Sequence, residues 1–339
     1  MTITRLKFER FTAFENLEFQ PSPGINILVG ANGTGKTHLM KAAYAACDVS
    51  KTGGSFAEKL INTFMPSGRS IGRLVKRRNR SVRGAIHIFR NRRYIRASFS
   101  NHATVPDSVR VTGAKGWAAE PVESVYIPVK EMLANAPGFR SLYAQREIHF
   151  EEVYADILDR AYRPSLRGPA DISRKKLLNI LRKVIDGRIV EKNEEFYHHS
   201  KQGSLEFTLL AEGVRKLGLL WLLIQNGVLQ NGSVLFWDEP ETNLNPKLFG
   251  SLIGILLELQ RSEVQIFLAT HDYAILKEFD LQRGKTDRLA FHSLYRDSGT
   301  GEIACHTAKN YMDIHPNAIS EAFADLYDRE VKRSLERLA

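Results

Sequence analysis

The sequence predicts an α/β fold in which a mostly parallel core sheet is combined with an antiparallel β subdomain and a helical insertion. Three observations support this prediction. The apolar run "INILV" leads into a Gly-rich turn and then a helical pattern, the apolar run "VLFW" ends in two carboxylates, and "VQIFLA" follows one helix later. Unbroken apolar runs are typical of parallel strands that are buried on both faces, and the order strand, helix, strand builds such sheets.

The size and composition fit one large globular domain or two smaller ones. The chain has 339 residues, of which 43% are hydrophobic, so it can bury a substantial core. Its apolar stretches, such as "GLLWLLI", are far shorter than the roughly 20 residues of a membrane span. The start "MTITRLKFER" lacks the apolar core of a secretion signal. We therefore expect a soluble, cytoplasmic protein with no membrane partner.

Cys47 and Cys305 have no ligand-like neighbours, which argues against a disulfide framework or a zinc site.

The segment "GANGTGKT", residues 30–37, matches the phosphate-binding pattern G-x-x-x-x-G-K-[ST] between a predicted strand and a predicted helix. Glycine permits backbone conformations that bring successive N–H groups around phosphate oxygens at a helix start. The lysine supplies a positive charge for the β and γ phosphates, and the threonine hydroxyl is placed to bind Mg²⁺. The predicted nucleotide site consists of Asn32, Gly33, Thr34, Gly35, Lys36, Thr37 and His38.

The positive charge of the chain is concentrated in one segment. Residues 59–106 contain twelve Lys or Arg and no Asp or Glu. The positive charge of this segment therefore exceeds the net charge of the whole chain, which is +10. Within it, "GAIHIFRNRRYIRASFS" alternates like two strands around a polar turn. Three interpretations stay open: a solvated face, contact with nucleic-acid phosphates, or contact with an acidic protein. The candidate contact residues are Arg77, Arg78, Arg80, Arg92 and Arg93.

The segment "SVLFWDEPETNLNPKL" supplies the carboxylates that a phosphate-binding loop needs. Asp238 ends a buried strand and would hold Mg²⁺ through water, and Glu239 would polarise the attacking water as general base. Pro246 suits the first turn of a helix capped by Asn245. The next apolar run, "VQIFLATHD", leads to His271. Because parallel strands end at the same sheet edge, we expect His271 beside Glu239, in reach of a γ-phosphate.

With the Gly-rich loop, "LFWDEP", "NLNP" and "LATHD" in this order, the chain resembles the heads of ABC-type ATPases, especially the SMC and OLD-like group. The resemblance covers roughly residues 1–47 and 203–295. It implies a P-loop NTPase fold of ABC-ATPase type, with the Gly-rich loop as Walker A and "LFWDEP" as Walker B. It also implies hydrolysis of ATP with Mg²⁺ and heads that sandwich ATP in a homodimer or higher oligomer. It makes "NLNP", with Asn243 and Asn245, the D-loop and His271 the His switch.

In that family, a signature motif at a helix start contacts the γ-phosphate bound to the partner head. The segment "LLAEGVRKLGLLWLLI" occupies the corresponding place, and Ala211, Glu212 and Gly213 are the candidate trans residues. The usual serine is missing, and Ala211 stands near its place, so one γ-phosphate contact is lost. A buried core helix explains the apolar part of this segment equally well.

Two further family features are missing or ambiguous. The segment "ESVYIPVKEML" resembles the Q-loop region but contains no glutamine, which argues against a subunit of a membrane transporter. Phe8, Phe11 and Phe14 alternate in a way that hairpin packing explains as well as adenine stacking does, so none is assigned to adenine.

We expect a single ATPase domain over residues 1–339. Its predicted segments are an N-terminal hairpin and P-loop (1–55), a basic β subdomain (56–138), a helical insertion (139–202), a lobe with signature, Walker B and His switch (203–295), and a C-terminal strand and helix (296–339). Stand-alone heads of this kind resemble ATPase components of prokaryotic anti-phage defence or DNA-repair modules. The resemblance therefore implies an ATPase that dimerises on ATP and controls an effector, a nuclease or toxin. The alternative is a nucleotide-gated DNA or RNA clamp without a dedicated effector.

Overall fold

The computed structural model describes residues 2–145, 148–168 and 171–336. The strands of these ranges are β1 (Ile3–Phe11), β2 (Phe14–Phe19), β3 (Ile25–Val29), β4 (Arg83–Arg90), β5 (Arg93–Ser100), β6 (Arg110–Thr112), β7 (Ser124–Ile127), β8 (Arg188–Lys192), β9 (Glu195–Ser200), β10 (Gly203–Glu206), β11 (Val234–Asp238), β12 (Gln265–Ala269), β13 (Leu289–Arg296) and β14 (Ile303–Ala308). The α-helices are α1 (Lys36–Thr52), α2 (Phe56–Phe64), α3 (Ala114–Ala118), α4 (Phe139–Ala144), α5 (Glu152–Ala161), α6 (Ile172–Val184), α7 (Glu212–Gln225), α8 (Phe249–Arg261), α9 (Tyr273–Gln282) and α10 (Ala318–Glu336). No helix in the described ranges is long and apolar enough to cross a membrane.

The core sheet has the strand order β14-β13-β3-β12-β11-β7. All neighbouring pairs are parallel except β13 and β14, which pair in antiparallel fashion. Every residue of β3, β7, β11 and β12 is buried, as their unbroken apolar runs require. The mostly parallel core sheet is therefore confirmed, and the carboxyl ends of β3, β11 and β12 lie side by side.

The core sheet separates two hydrophobic clusters. On one face, Ile27 and Leu235 pack in the cluster formed with α6, α7, α8 and α9. On the other face, Leu28 and Phe236 join α1, α2 and the antiparallel sheet. Because successive side chains of a strand point to opposite faces, a strand buried throughout serves both clusters. Helix α1, which follows the phosphate-binding loop, is held in the second cluster.

The antiparallel sheet has the order β2-β1-β4-β5-β6 and joins strands that the sequence assigns to different segments. The hairpin of the predicted N-terminal segment, residues 1–55, pairs through β1 with β4 of the basic segment, residues 56–138. Conversely, β7 lies in the basic segment but belongs to the core sheet beside β11. The basic hairpin itself forms as predicted, with β4 and β5 paired up to Arg90 and Arg93. The sequence boundary at residue 55 therefore does not separate two structural units.

The expectation that residues 139–202 are helical is wrong for the end of this segment. Strands β8 and β9 pair there, and β10 adds a third strand. The turn between β8 and β9 places Asn193 at φ 55° and Glu194 at φ 63°. Two successive residues with positive φ are typical of a tight hairpin turn. The alternation in "RIVEKNEEFYHHS" indicates these strands, but the many charged residues conceal it.

Candidate nucleotide site

The Gly-rich loop leads from β3 into α1 without a side-chain cap on that helix. Gly33 and Gly35 have φ values of 79° and 91°, which favour glycine. A Cβ atom at Gly35 would lie 2.5 Å from the ring of Phe14, so the loop rests on the N-terminal hairpin. Because no side chain caps α1, its first backbone amides remain available at the positive end of a 17-residue helix. This arrangement suits the binding of a phosphate group.

The aromatic residues of the hairpin support this loop from below. Phe8, Phe11 and Phe14 are fully buried and their rings pack on one another. Hairpin packing accounts for them, and an adenine ring has no access to these faces in this arrangement. The ring of His38 lies against Phe64 in α2, and burial followed by the charge of Lys41 lowers the pKa of His38 to about 4. The imidazole of His38, which is part of α1, therefore packs against α2.

Lys36 is a buried cation whose present partners are neutral. Its Nζ donates to the carbonyl oxygens of Gly30, at 2.7 Å, and Ala31, at 3.1 Å. Burial lowers the pKa of Lys36 to about 8, and the nearby carboxylates of Asp238, Glu239 and Glu241 oppose that shift. Removing a charge from water is costly without an ionic partner. A phosphate oxygen would supply the partner that the two carbonyl groups do not.

Thr37 and Asp238 meet although 201 positions separate them in the chain. Thr37 Oγ1 donates to Asp238 Oδ2 at 2.9 Å, and the hydroxyl of Tyr126 in β7 donates to the same oxygen at 3.1 Å. Burial raises the pKa of Asp238, while the bonds from Thr37 and Tyr126 lower it. A hydroxyl and a carboxylate are hard oxygen donors of the kind that Mg²⁺ prefers. These residues therefore fit a magnesium ion next to the loop.

Sequence reasoning missed Tyr126. A Q-loop would place a glutamine after the strand in "ESVYIPVKEML", whereas Tyr126 lies inside the strand, in register with Phe236 of β11. A polar tip on an otherwise apolar strand was the available signal. Only the pairing of β7 with β11 shows which carboxylate this tip reaches.

Glu239 and His271 emerge at the same sheet edge, as the strand order predicts. His271 Nε2 lies 3.8 Å from Glu239 Oε1, and both side chains are about one-third exposed. Glu239 has φ 48°, a left-handed conformation that costs of order 1 kcal/mol for a side chain of this kind. Burial and the charge of Lys36 lower the pKa of His271, and Glu239 opposes this. The imidazole is therefore neutral near pH 7.

Glu241 is a second residue that sequence reasoning missed. Its Oε1 accepts from Thr270 Oγ1 at 2.8 Å and from the backbone N–H of His271 at 2.9 Å. Burial raises the pKa of Glu241, and these bonds oppose the rise. Its other oxygen, Oε2, is buried without a hydrogen-bond partner among the described residues. Glu241 thus fixes the turn that presents His271.

The predicted signature lies against the predicted D-loop of the same chain. Helix α7 begins at Glu212, and its N-cap residue, Ala211, provides no capping side chain. A Cβ at Gly213 would lie 2.9 Å from the carbonyl oxygen of Asn243, and Asn243 Nδ2 donates to Glu212 Oε2 at 2.9 Å. Asn245 accepts from the N–H of Lys247 at 3.0 Å and caps the next turn. The glycine at 213 is thus needed for packing within one chain, independently of any partner.

Several positive charges of the segment 59–106 are paired with acids from other parts of the chain. Lys59 forms ion pairs with three acids of α1 and α5, and Lys76 pairs with Glu302, next to β14. Arg78 lies 2.5 Å from Glu15, and Arg93 lies 2.8 Å from Glu120. The acids come from other segments of the chain, so a count within this segment could not include them.

A smaller basic surface remains exposed. Arg77, Arg80 and Arg92 are exposed and, within the described residues, have no carboxylate in ion-pair range. A groove beside the start of β4 is lined by Arg10, Glu15, Arg78, Arg80, Ser81, Val82 and Arg83. Four arginines and one glutamate give this groove a positive charge. Of the five arginines predicted to contact a partner, the structure leaves three unpaired within the ranges it describes.

Comparisons with known proteins agree with this architecture. The chain is similar to an SMC head whose crystal structure is titled as bound to the C-winged helix domain of ScpA, with 14% identity, 93% of this chain and 100% of that chain covered, and a TM-score of 0.57. It is also similar to an SMC head with an extended coiled coil, bound to the C-terminal domain of ScpA from Pyrococcus furiosus. That match has 13% identity, covers 97% and 99% of the two chains, and has a TM-score of 0.54. The predicted head-type fold is therefore confirmed.

A short segment also matches curated relatives. It is 50% identical over 44 residues to the DNA replication and repair protein RecF of Enterobacter sp. (strain 638) and of Cronobacter sakazakii. The match spans 13% of this chain and 12% of each relative. A family model described as "AAA domain, putative AbiEii toxin, Type IV TA system" matches residues 25–277, well over half of the chain. The chain belongs to this AAA-domain family, and its fold is similar to that of the SMC heads.

Proposed function

We propose that this protein binds and hydrolyses ATP in a site formed by Lys36, Thr37, Asp238, Glu239 and His271. The observation that carries the proposal is the 2.9 Å hydrogen bond between Thr37 Oγ1 and Asp238 Oδ2 beside the glycine loop. This bond joins the end of β11 to the start of α1. It therefore brings a carboxylate and a hydroxyl, two oxygen ligands, together at one site. Membership of an ATPase family supports the same conclusion.

Each residue has a role that follows from its position. The amides of the loop and Lys36 hold the β and γ phosphates, and Lys36 exchanges its carbonyl partners for phosphate oxygens. Thr37 and Asp238 would hold Mg²⁺, which would neutralise phosphate charge when bound. Glu239 accepts a proton from the attacking water, because its carboxylate lies at the open edge of the sheet. Neutral His271 donates from its ring towards the γ-phosphate.

We further propose that ATP drives two heads together and that this state controls an effector, a nuclease or toxin, in anti-phage defence or DNA repair. The uncapped start of α7 supports the first step, since its free N–H groups would complement a γ-phosphate on a second head. The family description, which names a toxin of a type IV system, and the RecF match, which names replication and repair, support the second step.

Two substitutions test hydrolysis. Lys36→Ala should abolish ATP binding, because it removes the phosphate-binding cation. Glu239→Gln should retain ATP but turn over at least about a hundredfold more slowly, since the general base is lost. The measurements are ATP titration by fluorescence or calorimetry and phosphate release under saturation. Glu263→Gln, at an exposed carboxylate paired with Arg288, is the control. A Glu239→Gln protein with wild-type turnover would refute the role of Glu239.

The alternative function is a nucleotide-gated nucleic-acid clamp, and the arginine-lined groove favours it over a merely solvated face. Duplex binding through phosphate contacts weakens with salt, with a slope of about 0.9 per contact in a double-logarithmic plot. Arg77→Gln with Arg80→Gln should reduce this slope, whereas Arg182→Gln with Arg188→Gln, two exposed arginines elsewhere, should not. A wild-type protein that binds neither DNA nor RNA at low salt would exclude the clamp.

A further inference from the structure

Helix α10 extends from the body of the protein with almost no cover. Of its residues 318–336, only Ile319 in the first turn is buried, and every residue from 321 to 336 is exposed. An isolated helix of this length is marginally stable in water, and helices in proteins are stabilised mostly by packing of an apolar face. The exposed turns of α10 therefore need a contact that the described residues of one chain do not supply.

The exposed turns of α10 carry an apolar ridge. Phe323, Tyr327, Val331 and Leu335 recur at four-residue intervals and are 48%, 65%, 39% and 62% exposed. Residues four apart lie on the same side of a helix, one turn above the other, so these four side chains form one apolar ridge. A second helix with a similar ridge is therefore the natural cover for this face.

The order of side chains along the ridge is complementary to itself. If a second copy of α10 packs in antiparallel orientation about a two-fold axis near Arg329, Phe323 lies opposite Leu335 of that copy and Tyr327 lies opposite Val331. Each aromatic ring then meets a smaller aliphatic side chain. An interface with two-fold symmetry requires such self-complementarity, because both partners contribute the same surface.

The charges along α10 favour the same orientation. Residues 318–328 contain three acidic and no basic residues, whereas residues 329–336 contain three basic and two acidic residues. Antiparallel pairing places the acidic half of one helix beside the net basic half of the other. Parallel pairing would align the acidic halves, which is unfavourable.

A groove beside the N-terminal turns of α10 can accommodate the C-terminal end of the second helix. It has a volume of about 560 Å³, and Tyr273, Tyr311, Met312 and Tyr327 contribute to its walls. Met312 is 81% exposed there, and the ring of Tyr273 stacks on Phe323 with centroids 4.7 Å apart. In the antiparallel register, Leu335 of the second copy reaches Phe323 at this groove.

From these observations we propose that α10 pairs in antiparallel orientation with α10 of a second copy, giving a dimer that forms without nucleotide. This contact is distinct from the ATP-driven head contact proposed above. It keeps two heads together between rounds of hydrolysis, so that closure on ATP becomes an event within one assembly. The effective concentration of one head for the other is then set by this contact.

Cross-linking tests the register in the full chain carrying Cys305→Ser. A short bis-maleimide should join two chains of the double variant Phe323→Cys, Leu335→Cys without nucleotide. Neither single variant should cross-link, because each residue lies about 18 Å, twelve helical residues, from its own copy in this register. Efficient cross-linking of both single variants would indicate parallel pairing and overturn the proposal.

The oligomeric state gives an independent test. By light scattering without nucleotide, the wild type and Lys36→Ala should both be dimers, and Tyr327→Glu with Val331→Glu should be a monomer. By circular dichroism, this variant should lose no more helix than the exposed turns of α10 contain. Lys36→Ala separates this dimer from ATP-driven closure. A wild type that is monomeric without nucleotide at about 100 μM would overturn the pairing and leave the ridge to a different protein. That result would leave the proposed hydrolysis unaffected.

Discussion

Glu241 positions His271, a neighbouring residue of the proposed site, through hydrogen bonds to the turn that carries it. Its Oε1 accepts from the side chain of Thr270 and from the backbone N–H of His271. These bonds fix the two residues that follow β12, and they are made from a turn that also holds Glu239. The distance of 3.8 Å between His271 Nε2 and Glu239 Oε1 therefore depends on Glu241.

We expect Glu241→Ala to lower kcat by about 10- to 100-fold with little change in ATP binding, because a misplaced His271 weakens a contact made late in the reaction. Glu241→Gln keeps an oxygen that can accept both hydrogen bonds and should restore most of the activity. Steady-state kinetics with ATP titration measures both values. A loss of ATP affinity equal to the loss of kcat in Glu241→Ala would contradict a positioning role and indicate general disruption of the site.

Residues of this kind also show what the sequence could predict at the site. Lys36, Thr37, Asp238 and Glu239 were identifiable because each stands at a fixed spacing from a loop or a strand end. Tyr126 and Glu241 act through partners in other segments, so local spacing does not reveal them. The same reason explains why a charge count within residues 59–106 overstates the basic surface, because the neutralising acids lie in other segments of the sequence.

At the scale of elements, the contact between α7 and the predicted D-loop depends on the absence of a side chain at Gly213. A Cβ at Gly213 would lie 2.9 Å from the carbonyl oxygen of Asn243 and 3.0 Å from Leu244 Cδ1. Lys216 in the next turn donates to the carbonyl of Thr242 at 2.6 Å. The start of α7 and the loop after β11 thus form one unit, and a movement of either is passed to the other.

Gly213→Ala should therefore destabilise the fold by about 1–3 kcal/mol, because the backbone oxygen cannot move away cheaply. Gly254→Ala is the matched control, since Gly254 also lies in a helix but a Cβ there would meet only Gln282 at 3.5 Å. That substitution should stabilise the protein by up to about 1 kcal/mol, through helix propensity. Urea unfolding measures both changes. Equal effects of the two substitutions would show that the D-loop contact is unimportant.

The elements themselves were predictable to different degrees. The strands β3, β11 and β12 were evident because burial on both faces leaves unbroken apolar runs. Strands β8 and β9 were not, since one side of this small hairpin faces solvent and its charged residues resemble those of the preceding helix. A half-exposed strand alternates weakly, so only its pairing distinguishes it.

At the scale of the whole molecule, the sheet order explains why one site is built from both ends of the chain. Strand β3 lies between β12 and β13, although some 240 residues separate β3 from β12 in sequence. The residues between β3 and β12 supply β4, β5 and β6 of the antiparallel sheet, β7 and β11 of the core sheet, and several helices that flank the core. The sequence predicts the parallel core, but the sharing of one sheet by β1 and β4 is a non-local pairing that local patterns do not specify.

The N-cap of α7 is Ala211, where the signature motif of ABC-type heads usually has a serine. Ala211→Ser places a hydroxyl at the N-cap of α7, which should stabilise the chain by about 0.5–2 kcal/mol whether or not heads dimerise. If α7 also faces a γ-phosphate in trans, the hydroxyl adds a hydrogen bond to a charged group. Such a bond contributes about 1.5–3 kcal/mol, so each of the two symmetric contacts should tighten ATP-dependent dimerisation by roughly 10- to 100-fold.

Ala211→Asp separates the two effects, because an aspartate also caps the helix but repels a phosphate. Both variants should raise the midpoint of urea unfolding, whereas only serine should strengthen dimerisation and aspartate should weaken it. The measurement is sedimentation with and without ATP in a chain carrying Glu239→Gln, which retains ATP, and Tyr327→Glu with Val331→Glu, which removes the α10 contact. If serine and aspartate change ATP-dependent association equally, α7 does not face the phosphate of a second head, and its uncapped end has a purely intramolecular role.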